Sequence, residues 1–460
     1  MRRRFGGDAM TFYRRIAMSR ILTSLPLAIT AIALGALAVW PSYVKHAEAA
    51  ARVSSLPTMA PVTRDYVLRD RLIAFWEGRV KEHHSGDMIS PRNLGDQYLQ
   101  RYREHGDIDD VLRAGNMANE SLRAQPRGNL GALAGVAAAD LTLHRFKDAL
   151  AVTKAMERIQ PGEKNLLVRE VSLDLEIGKY DDAHRVIEKL GPARKYDIGQ
   201  DTLVARYDEL TGHLADARTL LERPSAYENS QFDAPAQSRA WFFFRAGELA
   251  FEAGDNDGAI ADEKRALDVF PNFADAYRAE ARVECAVKRW DACLTSARAS
   301  AAIVPYPETL GYEADAQRAL GQNAEAKATD DLIRTIERIG NAQHISDRLL
   351  AIYYSEHHIH TADAYRIAKR ELAVRDDILT EDTLAWAAAM DGRWDEARVA
   401  DAKAMRFDTE ISLLQYHAGV IAAHFGERER AKRYFTKALS LNAEFHPVYA
   451  DDARAQLAKL

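Results

Sequence analysis

The sequence predicts an all-α fold: a right-handed superhelical solenoid of about ten helix-turn-helix repeats with capping helices. Three observations lead there. First, a short unit returns ten times, with turns at positions 106, 144, 178, 212, 254, 288, 321, 359, 392 and 426. A period near 34 residues is the mark of stacked helical hairpins. Second, most turns pair a small or turn-forming residue with an alanine five positions later. Gly178 and Ala183, Gly212 and Ala217, Gly254 and Ala259, Gly321 and Ala326, Gly392 and Ala397, and Gly426 and Ala431 show it. Third, apolar residues are 47% and charged residues 28% of the chain, which is globular. No long stretch alternates with period two, so no sheet is called for.

Residues 1–49 read as a targeting segment. Arg2, Arg3, Arg4, Arg14, Arg15 and Arg20 precede the uncharged run ILTSLPLAITAIALGALAVW, residues 21–40. Positive charge ahead of an apolar run orients the segment with its amino end in the cytoplasm. Twenty apolar residues suffice to span a bilayer, and Ala47-Glu48-Ala49 has the small-x-small pattern of a cleavage site. Signal peptide and retained membrane anchor both stay open. Either one exports the rest, to the periplasm or to the periplasmic face of the inner membrane. Residues 50–91 are expected to hold a tether and an amino-terminal capping helix, with Val67, Leu68, Leu72, Ile73, Phe75, Trp76 and Val80 at helical spacing. Repeats fill 92–222. Residues 223–238, with Pro224 and Pro235, read as a loop insertion and a joint between two halves. Further repeats fill 239–446, and 447–460 form a last capping helix.

Within one unit, Trp241, Phe244, Gly247, Leu249, Ala250 and Phe251 recur at helical spacing before Gly254 and Asp255 break the helix. Ala259, Ile260, Ala266 and Leu267 mark the second helix, and Pro271 ends it. Gly247, Ala259 and Ala266 let the two backbones approach. The closing unit repeats this with Gly419, Ala422, Gly426, Ala431, Phe435, Ala438 and Leu439. These residues resemble the tetratricopeptide repeat family over about residues 92–446, and the chain looks like exported bacterial members of that family. Lys288, Ile359 and Cys293 depart from its pattern.

The resemblance implies that the first helix of each unit lines a concave face. Carried over, it nominates Trp241, Phe244, Glu248, Phe251, Arg278, Arg282, Arg318, Tyr353 and Trp386 as partner-binding residues. Asp275, Cys285, Glu308, Asp315, Leu349, Glu356, Asp382 and Tyr416 lie on the same row. Aromatic rings and guanidinium forks suit an extended peptide or a helix. Trp241, Phe244 and Phe251 equally suit packing between repeats. The expected function is therefore an exported, non-catalytic scaffold or adaptor that binds a protein or peptide in its groove. The alternative is a small-ligand or metal-binding sensor or storage protein of the cell envelope.

Other features are weaker. The formal charge is −6, and excluding residues 1–49 it is −11, which argues against nucleic acid. His357, His358 and His360, with His344 nearby in sequence, offer imidazoles at a turn, but no i,i+4 pair fixes two on one helix face. Neither a metal nor a cofactor is expected. Export makes a Cys285–Cys293 bridge chemically possible. Their expected places, one on the concave wall and one at the helix crossing, favour two reduced cysteines. No phosphate loop, nucleophile elbow or zinc helix is present in the sequence, so no enzyme is expected.

Overall fold

The computed structural model describes residues 65–82, 86–192, 197–231, 233–342 and 348–460. The predicted leader and tether lie outside them, as does His344. The described residues form 22 helices and no strand. After a capping helix α1 (Asp65–Lys81) come ten antiparallel pairs. The first five are α2 (Ile89–His105) with α3 (Ile108–Ala124), α4 (Leu130–Thr142) with α5 (Phe146–Ile159), α6 (Lys164–Glu176) with α7 (Tyr180–Leu190), α8 (Ile198–Leu210) with α9 (Leu214–Ser230), and α10 (Ala236–Glu252) with α11 (Asn256–Val269). The second five are α12 (Ala274–Ala286) with α13 (Trp290–Ile303), α14 (Pro307–Ala319) with α15 (Asn323–Ala342), α16 (Arg348–Glu356) with α17 (Thr361–Val374), α18 (Ile378–Met390) with α19 (Trp394–Ala404), and α20 (Ser412–His424) with α21 (Arg428–Leu441). The last helix is α22 (Tyr449–Leu457).

The pair α10/α11 shows why each unit folds. Gly254 takes a left-handed φ of 77° past the end of α10. Asp255 then caps α11, its carboxylate accepting from the Gly258 amide at 3.0 Å. Ala259 and Ala266 are fully buried where the helices cross, and a Cβ on Gly247 would stand 3.1 Å from the Ala259 carbonyl. Nothing larger fits there. Replacing Ala259 or Ala431, also fully buried, with leucine is expected to cost about 1–3 kcal/mol by overpacking. Thermal unfolding of either variant checks this, and an unchanged midpoint would mean a different register.

Three local expectations are corrected. The insertion at 223–238 is mostly helix, because α9 continues through Pro224 to Ser230. The backbone bond lost at Pro224 is offset by burial of its ring and of Leu221, and Asn229 donates back to the Ser225 carbonyl. At the histidine turn, the left-handed residues are His358 (φ 52°) and His360 (φ 48°), flanking Ile359. The cysteines are not two separate thiols. Cys285 and Cys293 form a disulfide with Cα atoms 5.2 Å apart. Both sulfurs sit under the Tyr312 carbonyl, and small residues at the crossing bring the helices within bridging distance.

The largest departure from an open groove is the pitch. The superhelix is wound so tightly that its coils touch. The Tyr180 hydroxyl accepts from the Ile378 amide at 3.0 Å, 198 residues on and close to six repeats away. The Thr409 hydroxyl donates to the Leu210 carbonyl at 2.8 Å. Asn442 donates to the Phe251 carbonyl at 2.7 Å, and Asn272 to the Glu104 carbonyl at 3.2 Å. Arg375 pairs with Glu176. In each case the turn of one pair, or the helix end beside it, meets a connecting segment of the next coil.

Candidate functional site

Coil stacking turns the concave face into a half-open lumen of about 670 Å³. The first helices of seven consecutive pairs, from α8 to α20, line it. Tyr102, Ile108 and His144 close it from the first coil. Helices α8, α10, α12 and α14 present a ladder of ion pairs. Arg206 meets Glu209 at 2.8 Å, and Arg245 bonds both Glu209 and Glu248. Arg278 meets Glu308 at 3.0 Å and Asp275 at 3.5 Å, while Arg282 pairs with Glu252. Helices α16, α18 and α20 present a mixed side, with Leu349, Ile352, Leu379, Leu413 and Trp386 set among Arg348, Asp382 and His417.

The ladder is held in a partly dehydrated space, and its pKa shifts show both forces. Burial opposes ionisation of Glu209, yet Arg206 and Arg245 hold its carboxyl below the usual range. The same contest at Glu308 is won by Arg278 and Arg282. At Asp275 burial prevails over Arg278 and the carboxyl is raised. Burial, with Arg375 and Arg348 nearby, lowers His144.

Two lumen groups stand outside the ladder. Arg348 forms no ion pair among the described residues, although Glu308 and Asp377 both feel its charge. His417 is 3% exposed and stacks on Trp386 at 4.1 Å. Its Nδ1 lies 3.1 Å from both oxygens of Asp382, which places a proton on Nδ1. Its Nε2 has no hydrogen-bond partner among the described residues.

The nine residues nominated from the sequence divide among four places. Glu248, Arg278, Arg282 and Trp386 line the lumen. Trp241 lines a second cavity of about 500 Å³ that touches both coils, with Tyr102, Phe273 and Val304. Phe244 and Phe251 are core side chains, 6% and 2% exposed, with Arg278 and Arg282 lying over their rings. Arg318 and Tyr353 belong to a third cavity of about 300 Å³, where both bond Asp330. Sequence reasoning missed Arg206, Glu209, Arg245, Arg348, Arg375 and His417. The steps Arg206–Glu209 and Arg245–Glu248–Glu252 follow the three- and four-residue spacing of one helix face, and that signal was present. Arg375 had none, because a connecting segment reaches the lumen only through coil stacking.

The histidine turn serves another purpose. His357 places Nδ1 2.8 Å from the Tyr353 carbonyl and Nε2 2.8 Å from the Asp315 carboxylate. Two acceptors require two protons, so the ring is an imidazolium. Although burial opposes it, Asp315 and Glu356 push its pKa up to about 8. Beside it, burial pushes Glu356 up to about 8. Burial also raises Glu284, Glu381 and Asp401 to about 7. Among the described residues no group of three or more His, Cys, Asp or Glu side chains is arranged to hold a metal ion.

These shifts set a sign for pH dependence. A group whose folded pKa is raised binds more protons folded than unfolded, so its contribution is lost as pH rises toward the folded value. His357, Glu356, Glu284, Glu381 and Asp401 all act this way. Burial lowers His446 to about 3, and its contribution is lost as pH falls below the ordinary histidine value. The melting temperature is therefore expected to fall steadily between about pH 6.5 and 8.5. Glu356→Gln should flatten that slope, and a pH series on parent and variant measures it.

No protein-family model matches the chain, and no curated protein matches its sequence. Some solved structures are similar to it at low identity. The crystal structure of yeast Tom70 is 12% identical, covering 85% of this chain and 92% of its own, with a TM-score of 0.33. The APC/C hetero-tetramer Cut9-Hcn1 is 10% identical, covering 86% and 94%, with a TM-score of 0.32. The human IFIT1 dimer with PPP-AAAA is 14% identical, covering 74% and 78%, with a TM-score of 0.46. At such identities and TM-scores the likeness extends no further than a shared helical architecture.

Proposed function

We propose that this chain is an exported, non-catalytic scaffold that holds a protein or peptide segment in the lumen of its superhelix. One observation carries the reading: seven consecutive first helices turn charged and aromatic side chains, Glu248, Arg278, Arg282 and Trp386 among them, toward one space. The lumen has an ion-pair side and a mixed side of apolar and polar groups, which matches a polypeptide better than a uniformly polar or apolar ligand. Its volume favours a short segment or chain end over a folded domain. The same volume lies within the range of small-ligand sites, and that is the one observation favouring a small-molecule sensor.

Export is part of the proposal. The disulfide supports it, since such bonds persist in oxidising compartments. A phosphatase reporter fused after residue 60 is expected to be active. It should fall silent when Ile29 and Leu34 both become arginine, because such charges cost about 2.5–3.5 kcal/mol each at a helix centre in a membrane. An active reporter with both arginines would remove this part of the reading.

Binding is tested by affinity capture from a membrane-containing extract, identification of the bound segment, and titration of that segment. Arg348→Glu is the variant of choice, because it breaks no ion pair among the described residues. A segment held in the lumen should bind it about tenfold more weakly or more strongly, according to the segment's charge, with the difference shrinking at high salt. Equal affinity at low salt would place the partner elsewhere.

A further inference from the structure

The last helix does more than close the stack. A terminal helix needs only to shield the apolar face of the final pair. Tyr449, at the start of α22, instead touches three successive first helices. It stacks on Tyr416 of α20 at 4.6 Å and stands edge-on to Trp386 of α18 at 5.6 Å. Its hydroxyl donates to the Glu356 carbonyl at the end of α16, at 3.0 Å. The side chain is 4% exposed. Asp452 accepts from the Tyr416 hydroxyl at 2.8 Å. Asp451 reaches Lys288, in the turn of the α12/α13 pair, at 2.6 Å. Phe445, in the segment leading into α22, also packs against Tyr416, ring centroids 5.8 Å apart, and is 5% exposed. Trp386, Tyr416 and Glu356 all belong to the row of concave positions.

We propose that residues 445–457 are an internal ligand. They occupy on the concave wall the place of a partner's helix of the same chemistry. That partner helix opens on an aromatic residue, carries two acidic residues in its first turn, and has a second aromatic just ahead of it. The proposal rests on the reading of the concave side as a polypeptide site and adds who competes for it. Covalent attachment gives α22 an effective concentration on the order of millimolar, so a free segment must exceed that, or bind more tightly, to enter.

The test uses a labelled peptide of residues 443–460 added to the full chain. The parent, with its site filled, is expected to bind the peptide at least about tenfold more weakly than Tyr449→Ala, whose own helix has lost its anchor. Equal binding, or none by a Tyr449→Ala chain that melts near the parent, would overturn the proposal and leave α22 as a terminal cap. Should that variant fail to fold, a protease site placed between Asn442 and Phe445 lets the folded chain be cut instead. Exchange of the cut segment for labelled peptide supports the proposal. A segment that never exchanges, or a chain that melts on cutting and is not restored by peptide, overturns it. None of these failures touches the lumen reading, which stands or falls on the Arg348→Glu titration.

Discussion

Gly178→Ala is expected to unfold the coil contact and to cost at least about 2 kcal/mol more than Gly392→Ala. Both glycines have left-handed φ, 72° and 76°, so the penalty for an L side chain there, roughly 1–2 kcal/mol, is common to the pair. What differs is the surroundings. A Cβ on Gly178 would fall 1.9 Å from the Asp376 carbonyl oxygen of the next coil. A Cβ on Gly392 meets nothing within 4 Å among the described residues. The obstacle is backbone at a connecting segment already held by Tyr180 and Arg375, and it cannot swing aside as a flexible side chain would. Other turns should grade between these limits. A Cβ on Gly254 meets the Leu441 carbonyl at 2.6 Å, one on Gly212 the Phe407 carbonyl at 3.1 Å, and one on Gly426 nothing within 4 Å among the described residues. Urea midpoints for the five alanine variants should follow that order. Equal losses at Gly178 and Gly392 would mean that the coils do not touch in solution.

The double reversal Arg278→Glu with Arg282→Glu is expected to lower stability by roughly 3 kcal/mol or more. The sequence suggests the opposite, two exposed arginines whose replacement leaves the melting temperature unmoved. In the folded chain their side chains are 16% and 26% exposed and lie over Phe244 and Phe251. New glutamates would face Glu308, Asp275 and Glu252, which lose their partners. Partial exposure keeps the loss below that of a fully buried pair. The compensated pair Arg282→Met with Glu252→Leu should recover most of the single-variant loss, since an apolar pair can replace an ion pair once no charge is stranded. A reversed chain that melts with the parent would place these arginines in open solvent.

The helical unit was legible because its causes are local. Left-handed glycine at a turn, alanine at a crossing and an acidic cap act within about ten residues, and each leaves a mark at fixed spacing. The rows of facing residues were legible too, since a helix turns by the same angle in any context. The periodic signal could not tell what the rows face. Phe251 and Arg282 sit on neighbouring rows of one wall, yet the ring is core and the guanidinium covers it. That division depends on how closely the neighbouring pairs pack.

By itself, then, the sequence determined the class of fold, the number of pairs and the places of their turns, because these depend on backbone conformation and packing within one repeat. Only the tertiary structure decided that the groove is narrowed into a half-open lumen, that Cys285 reaches Cys293, and that Arg375 joins the wall from a connecting segment. The pitch of the superhelix is a sum of small rotations between pairs. A few degrees at each junction decide whether residues six repeats apart meet or miss, and no spacing within one repeat records that sum.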